Sequence, residues 1–428
     1  MKINSYDKTF FEFIEVNAKE DLSKLKLKYH GKSLPFDLDF ALLQIECRRK
    51  YATKMKNFLS NSNVVFPSIL AAEQASHESI ATFHASIIGN SERSIDMTSG
   101  LGIDAFAIAR NSGSLIACEL DPERFQALTY NKEILGLFNI TVVNGDSVRF
   151  ISDSRNHFNT VFIDPARRNK NGRVYNFKDC QPDVIPLIKE LRNKADRIFI
   201  KASPLLDISQ TIRDIPDLTA IRAVSVMGEC KEILVEINNL CYNSEDNPIP
   251  IVAEAVDLNN NNGEISSRFT YKIPRINDRL ACVPQSYNDI STDNPINSIY
   301  NGILYAGKED ISPGNYIYEP NAPMMKLAPW NALSTSYPSI KKLSPSSHLF
   351  VSTEFIPDFP GRKLLIDSLP DKKSRKSLHG KPINIVTRNY PVAPDILRKQ
   401  LGVKEGDLDF LYASRLDKTP IFILCHKL

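Results

Sequence analysis

Four short segments hold the residues with which this 428-residue chain could do chemistry. The first is Asp96-Met97-Thr98-Ser99-Gly100-Leu101-Gly102-Ile103-Asp104-Ala105. Gly100 and Gly102 permit a tight turn and let a ligand touch backbone, and a helix opening there offers free N–H groups. The second, Glu119-Leu120-Asp121, presents a carboxylate able to accept from a pair of hydroxyls. The third, Asn144-Gly145-Asp146, holds an acid suited to an exocyclic amino group. The fourth, Asp164-Pro165-Ala166-Arg167-Arg168, places a carboxylate beside two guanidinium groups. There Asp164 and the Pro165 carbonyl are acceptors for an amine N–H, and Arg167 and Arg168 suit phosphate or a base face.

Each segment follows a short β-rich run and precedes a helical one. Strands are expected at Ser94–Met97, Ser114–Leu120, Ile140–Asn144, Thr160–Asp164 and Arg197–Ser203. Helices are expected near Gly102–Asn111, Pro122–Gly136, Asp146–Asp153 and Cys180–Lys194. Such alternation gives a parallel sheet covered on both faces. Leu218–Met227 and Lys231–Asn238 are separated only by Gly228-Glu229-Cys230, so they form a hairpin and add one antiparallel strand. Upstream, residues 1–90 read as helical, with Leu38–Leu59 as one helix and a second opened by Pro67 and running to Ile88. Downstream, Pro248–Leu258 and Glu264–Ile273 read as strands. Tyr316–Glu319, Ala322–Leu333 and His348–Glu354 read as strand, helix and strand. Lys363–Asp367, Ile383–Thr387, Pro394–Leu401 and Ile421–Cys425 make a last α+β unit, and 275–312 receives no assignment. The expected division is a helical region at 1–90, the parallel-sheet domain at 91–240, a β-rich extension or linker at 241–312, and small α+β units at 313–358 and 359–428.

Gly100-x-Gly102-x-x-Ala105 fits a dinucleotide fingerprint, with Glu119 on ribose hydroxyls. It fits equally the first motif of class I S-adenosylmethionine-dependent methyltransferases. Three features favour the second: Asp146 after the third strand, Asp164-Pro165 after the fourth, and the terminal hairpin. Residues 67–240 resemble a class I methyltransferase of the RNA-modifying kind. The whole chain resembles a bacterial family in which that domain precedes a ferredoxin-like and a THUMP-like unit. Tyr318-Glu319-Pro320-Asn321-Ala322, Phe359-Pro360-Gly361-Arg362 and Thr387-Arg388-Asn389-Tyr390-Pro391 carry that match.

The resemblance implies an α/β fold, with a seven-stranded Rossmann-like sheet whose last strand is antiparallel. It implies S-adenosyl-L-methionine as cofactor, held by Asp96, Thr98, Gly100, Gly102, Glu119, Leu120, Asp146 and Gln74, with Ser76 beside Gln74. Catalysis falls to Asp164, Pro165 and Arg167, and the expected reaction is methylation of a base nitrogen, such as guanine N2, in ribosomal or transfer RNA. Arg167 stands where base-nitrogen methyltransferases carry an aromatic, and Tyr175 and Phe177 are candidate stacking groups. Carbon-5 chemistry on uracil needs a nucleophilic Cys after the fifth strand, where this chain has Lys201-Ala202-Ser203-Pro204. Two rivals are an inactive RNA-binding protein on the same fold and a nicotinamide-dependent oxidoreductase.

Charge supplies the remaining expectations. Lys and Arg number 53 against 50 Asp and Glu, which excludes a uniformly basic coat. From Gly361 to Leu428, however, 14 basic residues face 7 acidic ones, a net of +7 against −4 for the rest. Contact with a polyanion is expected there, through Lys372, Lys373, Arg375, Lys376 and Arg388, with Arg168 assisting near the catalytic motif. The 7 histidines have no metal-ligand spacing, and the 7 cysteines form no C-x-x-C pair, so no metal and reduced cytoplasmic thiols are expected. No apolar run is long enough to suggest a membrane span.

Overall fold

The computed structural model describes residues 7–167, 177, 180–241, 249–260, 262–276, 279–280, 302–416 and 419–428. Arg168 and Tyr175, expected at the site, lie outside the described residues, as does most of 275–312. The chain divides into two units: Met1–Val252 with Leu258–Ser266 and Arg275–Leu280, and Ala253–Asp257 with Ser267–Pro274 and Ala281–Leu428.

The first unit begins with helices α1 (Lys8–Val16), α2 (Leu22–Tyr29) and α3 (Leu38–Lys50). Phe10, Ile14, Leu25, Phe40 and Ile45 bury against one another and reach Ala127 of the later α7 (Pro122–Ile134). Buried side-chain amides fix the exit of this layer: Gln44 exchanges two hydrogen bonds with the Phe66 backbone, and Asn131 two with Val65. α3 stops at Lys50 instead of continuing to Leu59, because the following segment is bent to serve other helix ends. Glu78 takes the Asn57 and Phe58 N–H groups, and Lys54 Nζ caps the carbonyls of Ala72 and Glu73. The helix expected from Pro67 to Ile88 is likewise two helices, α4 (Ile69–Gln74) and α5 (Glu78–Ile88). His77 N-caps α5, its ring accepting the Ser79 N–H, and the break frees the Ser76 side chain for other partners.

The sheet strands are β1 (Ser91–Asp96), β2 (Ser112–Glu119), β3 (Ile140–Asn144), β4 (Phe158–Ile163), β5 (Ala195–Ala202), β6 (Ala220–Val226), β7 (Glu229–Asn238), β8 (Ile251–Leu258) and β9 (Ile265–Ile273). β1 to β7 lie in the order 3-2-1-4-5-7-6, the seven-stranded sheet expected, and β8 and β9 are additional strands. β1 to β5 pair in parallel, and β7 runs antiparallel to both β5 and β6. The last strand is antiparallel, as the resemblance implies, and the structure inserts it between the fifth and sixth. β8 enters beside β6, where the Val252 N–H donates to the Thr219 carbonyl. β4, β6 and most of β7 are buried without alternation, as strands covered on both faces require. The parallel strands end together at Asp96, Glu119, Asn144 and Ile163, which collects all four chemical segments at one edge.

In the second unit, strands β10 (Tyr316–Pro320), β11 (Lys341–Lys342), β12 (Phe350–Ser352), β13 (Gly361–Ser368), β14 (Asn384–Thr387), β15 (Asp409–Leu416) and β16 (Thr419–Lys427) form one sheet, ordered 11-12-10-13-16-15-14. The two small α+β segments thus share a single sheet, joined where Tyr316–Pro320 pairs antiparallel with Gly361–Leu365. The helix expected at Ala322–Leu333 is broken into Ala322–Leu327 and Trp330–Ser336 by Ala328, in a left-handed conformation, and Pro329. β15 was not foreseen, since its buried Phe410-Leu411-Tyr412-Ala413-Ser414 run has no period-two signal.

Candidate active site

The strand ends of the first unit open into a cavity of about 1800 Å³. Gly100 and Gly102 line it with positive φ of 56° and 97°. A Cβ on Gly102 would collide with Leu128 and Phe106, so only glycine lets the loop settle on α7 while it opens α6 (Ile103–Ala109). At Gly100 the space beyond Cα is open, which leaves its backbone accessible to a ligand. Glu119, mostly buried, accepts the Gly100 N–H at Oε2 and the Asp121 N–H at Oε1, both at 2.8 Å. Leu120 beside it is 64% exposed. Asp146 caps α8 (Ser147–Asp153) through the Val148 N–H, and its exposed side chain keeps further acceptor capacity. Asp96 Oδ1 accepts the Thr98 N–H, whereas its buried Oδ2 has no partner. Burial pushes the Asp96 carboxyl up to about 8, although the Thr98 N–H pulls the other way. Gln74 Oε1 accepts from the Arg124 guanidinium at 3.1 Å.

Asp164, Pro165 and Ala166 line the same cavity. The Thr98 hydroxyl accepts the Asp164 backbone N–H at 2.6 Å, tying the fourth segment to the first. Ala166–Arg167 pairs with Cys180–Gln181 in a two-residue antiparallel ribbon. Phe177 is only 1% exposed, so it packs and offers no face for a base to stack on.

A buried polar network, absent from the expectations, lies under Asp164. Lys201 Nζ, at the end of β5, donates to Asp164 Oδ2 and to Ser76 Oγ, each at 2.6 Å, and sits 3.9 Å from Asp104 Oδ2. The Ser76 hydroxyl donates in turn to Asp104. His84 of α5 bridges Asp104 (2.8 Å) and Glu232 of β7 (2.5 Å) through its two ring nitrogens. Burial disfavours an imidazolium, but Glu232 and Asp104 outweigh it and raise His84 to about 9. Burial would lift Asp104 as well, yet Lys201 and His84 hold it at about 2. Lys201 stays well above the ordinary lysine range, because Asp164, Asp104 and Glu232 overcome its desolvation. Solvent in the cavity reaches 37% of the Asp164 side chain, but its deep setting raises the carboxyl while Lys201 pulls it down. Lys201 and Ser76 stood in motifs noted for other reasons, while His84 and Glu232 had no sequence signal, being lone residues on separate elements.

Among the expected RNA-binding residues of the second unit, Lys372, Lys373 and Lys376 are exposed. Arg375 lies over the Phe422 ring at 3.9 Å. Arg388 donates to Glu319 Oε1 at 2.5 Å, and Arg362 and the Tyr412 hydroxyl donate to Oε2 at 2.8 and 2.7 Å. Arg388 therefore spends part of its charge holding the sheet together. Trp330 packs within the second unit, stacked on His348 and tilted against Phe350. No group of three or more His, Cys, Asp or Glu among the described residues could hold a metal, and none of their helices is long and apolar enough to cross a membrane.

Known proteins match both units. A solved chain from Porphyromonas gingivalis W83, provisionally assigned as a methyltransferase, aligns with a TM-score of 0.80 at 24% identity, covering 98% of this chain and 97% of that one. The chain has a methyltransferase fold. Within its second unit, residues 316–360 match a ferredoxin-like domain and residues 366–427 a THUMP domain-like one. Two curated relatives resemble part of the chain. Ribosomal RNA small subunit methyltransferase J of Francisella tularensis subsp. novicida is 33% identical over 92 residues, 19% of this chain and 37% of that protein. An uncharacterized RNA methyltransferase of Mycoplasma mobile is 27% identical over 105 residues, 24% of this chain and 26% of that protein. The chain thus spans between a quarter and two fifths of the length of these relatives.

Proposed function

We propose that the chain is an S-adenosylmethionine-dependent RNA methyltransferase acting on an exocyclic base nitrogen, with guanine N2 as the leading candidate. The observation that carries this is the convergence of Glu119, the glycine loop and Asp164 on one cavity. The cavity fits the cofactor. The open space at Gly100 admits a ligand against backbone. Glu119 uses one hydrogen bond per oxygen, so its remaining lone pairs are free for a ribose diol. Asp146 and exposed Leu120 would hold the adenine edge and face.

When bound, S-adenosylmethionine supplies an electrophilic methyl group on a good leaving group. The chain must then orient the nucleophile and receive its proton. An amino nitrogen conjugated to a base is a poor nucleophile until its lone pair is localised. Asp164 and the Pro165 carbonyl accept its N–H groups and hold it in that form, and Asp164 takes up the released proton. Arg167 follows directly, where a base or its phosphate arrives. RNA docking falls to Lys372, Lys373, Arg375 and Lys376, with Arg388 and Arg168 in support. Labelled methyl transfer from S-adenosylmethionine to total RNA of cells deleted for this chain tests the proposal. Transfer that is lost in Asp164→Ala supports it, and no transfer by the folded wild type contradicts it.

A further inference from the structure

We propose that Lys201 is a positioning residue that keeps Asp164 an ionised acceptor aimed into the cavity, so that the two side chains act as one proton-accepting unit. This rests on the methyltransferase reading of the cavity.

The geometry is specific. Lys201 Nζ engages only Oδ2 of Asp164, at 2.6 Å, leaving Oδ1 for an incoming N–H. The Asp164 backbone is itself held by Thr98, which fixes the point from which the carboxylate projects. Lys201 is pinned as well, by Ser76 at 2.6 Å, with only 14% of its side chain exposed. Behind Ser76 stand Asp104, His84 and Glu232, contributed by α6, α5 and β7, so the ammonium sits at the head of a chain of charge-assisted hydrogen bonds.

Charge explains why a cation is needed. Asp164 shares the cavity lining with Asp104 of α6 and Glu232 of β7, whose charges both disfavour its ionisation. Like charges and burial both favour protonation of a carboxylate, and a protonated oxygen no longer accepts an N–H. Among the described residues, Lys201 is the cation in contact with Asp164. His84 of α5 is committed to Asp104 and Glu232, Lys54 to the Ala72 and Glu73 carbonyls, and Lys231 to Glu229. Without Lys201, burial, Asp104 and Glu232 would raise the Asp164 carboxyl unopposed.

The test is the pH profile of methyl transfer to total RNA from deleted cells, with labelled S-adenosylmethionine. In Lys201→Met the acid limb of kcat/KM should move up by about one pH unit or more, since an opposite charge within reach is worth that much. The loss should approach about tenfold on the acid side of the wild-type limb and should recover as pH rises. Cofactor affinity by calorimetry should stay within a few fold, and Lys201→Arg should restore the wild-type limb. A Lys201→Met variant equally impaired at every pH overturns the proposal, because a structural role alone would give that result. If the single variant does not fold, Lys201→Met with Asp104→Asn removes one charge of each sign, and the same upward shift is required of it. An active wild type with an unmoved limb in the variants defeats the role of Lys201 alone. An inactive wild type defeats the methyltransferase reading together with it.

Discussion

The N–H of Gly100 donates to Oε2 of Glu119 at 2.8 Å, so the glycine loop and the carboxylate ending β2 are tied together before a ligand arrives. Glu119→Ala should therefore lose both the ribose acceptor and the brace of the loop. Hydrogen bonds to a charged group are worth roughly 1.5–3 kcal/mol, so S-adenosylmethionine should bind about 10- to 150-fold more weakly. Calorimetry on the folded variant checks this, and unchanged affinity would remove Glu119 from the cofactor site.

Asp164→Ala should leave cofactor affinity within a few fold and slow methyl transfer by about a hundredfold or more, the scale of a positioned proton acceptor. Single-turnover transfer to RNA from deleted cells separates the two effects. A near wild-type rate would mean that another group receives the proton.

Stability should fall as the solution becomes basic. His84, raised to about 9 from an ordinary 6.5, contributes stability that is fully present below about 6.5 and lost as pH rises through 9. Asp96, raised from 3.8 to about 8, acts in the same direction, its contribution fully present below about 3.8 and lost by about 8. Melting curves should show wild type exceeding His84→Gln at pH 6 by several degrees, with the gap closing by pH 9.5. A gap independent of pH would mean that His84 is not an imidazolium between the two carboxylates.

If the THUMP-like unit docks RNA, replacing Lys372, Lys373 and Lys376 with Gln should weaken binding and lower the slope of log affinity against log salt by about 2–3. Arg375 is left in place because it packs on Phe422. Filter binding at a series of salt concentrations gives the slope. An unaltered slope would exclude this cluster, turning attention to the arginines after Asp164.

Much of this was legible in the sequence because turn chemistry and strand ends are local. Gly100, Gly102, Glu119, Asp146 and Asp164 each sit at or shortly past the end of a β-rich run, and the parallel sheet brings such positions to one edge. The three-residue link at Gly228 likewise dictated the antiparallel seventh strand. What escaped depends on distant partners. α3 and the helix after Pro67 look continuous by periodicity, and only the pull of Glu78, Lys54 and Asp104 on loop residues interrupts them. His84 and Glu232 are 148 positions apart and meet through the fold alone. In the second unit, Arg388 looked like a surface cation until Glu319, 69 positions away, was found against it.

The most direct measurement is mass spectrometry of nucleosides from total RNA of a deletion strain, beside the parent and strains complemented with wild type or Asp164→Ala. One base-nitrogen-methylated nucleoside should be depleted on deletion, return with the wild-type chain, and stay depleted with Asp164→Ala. An identical set of methylated nucleosides in deletion and parent would contradict RNA methylation by this chain.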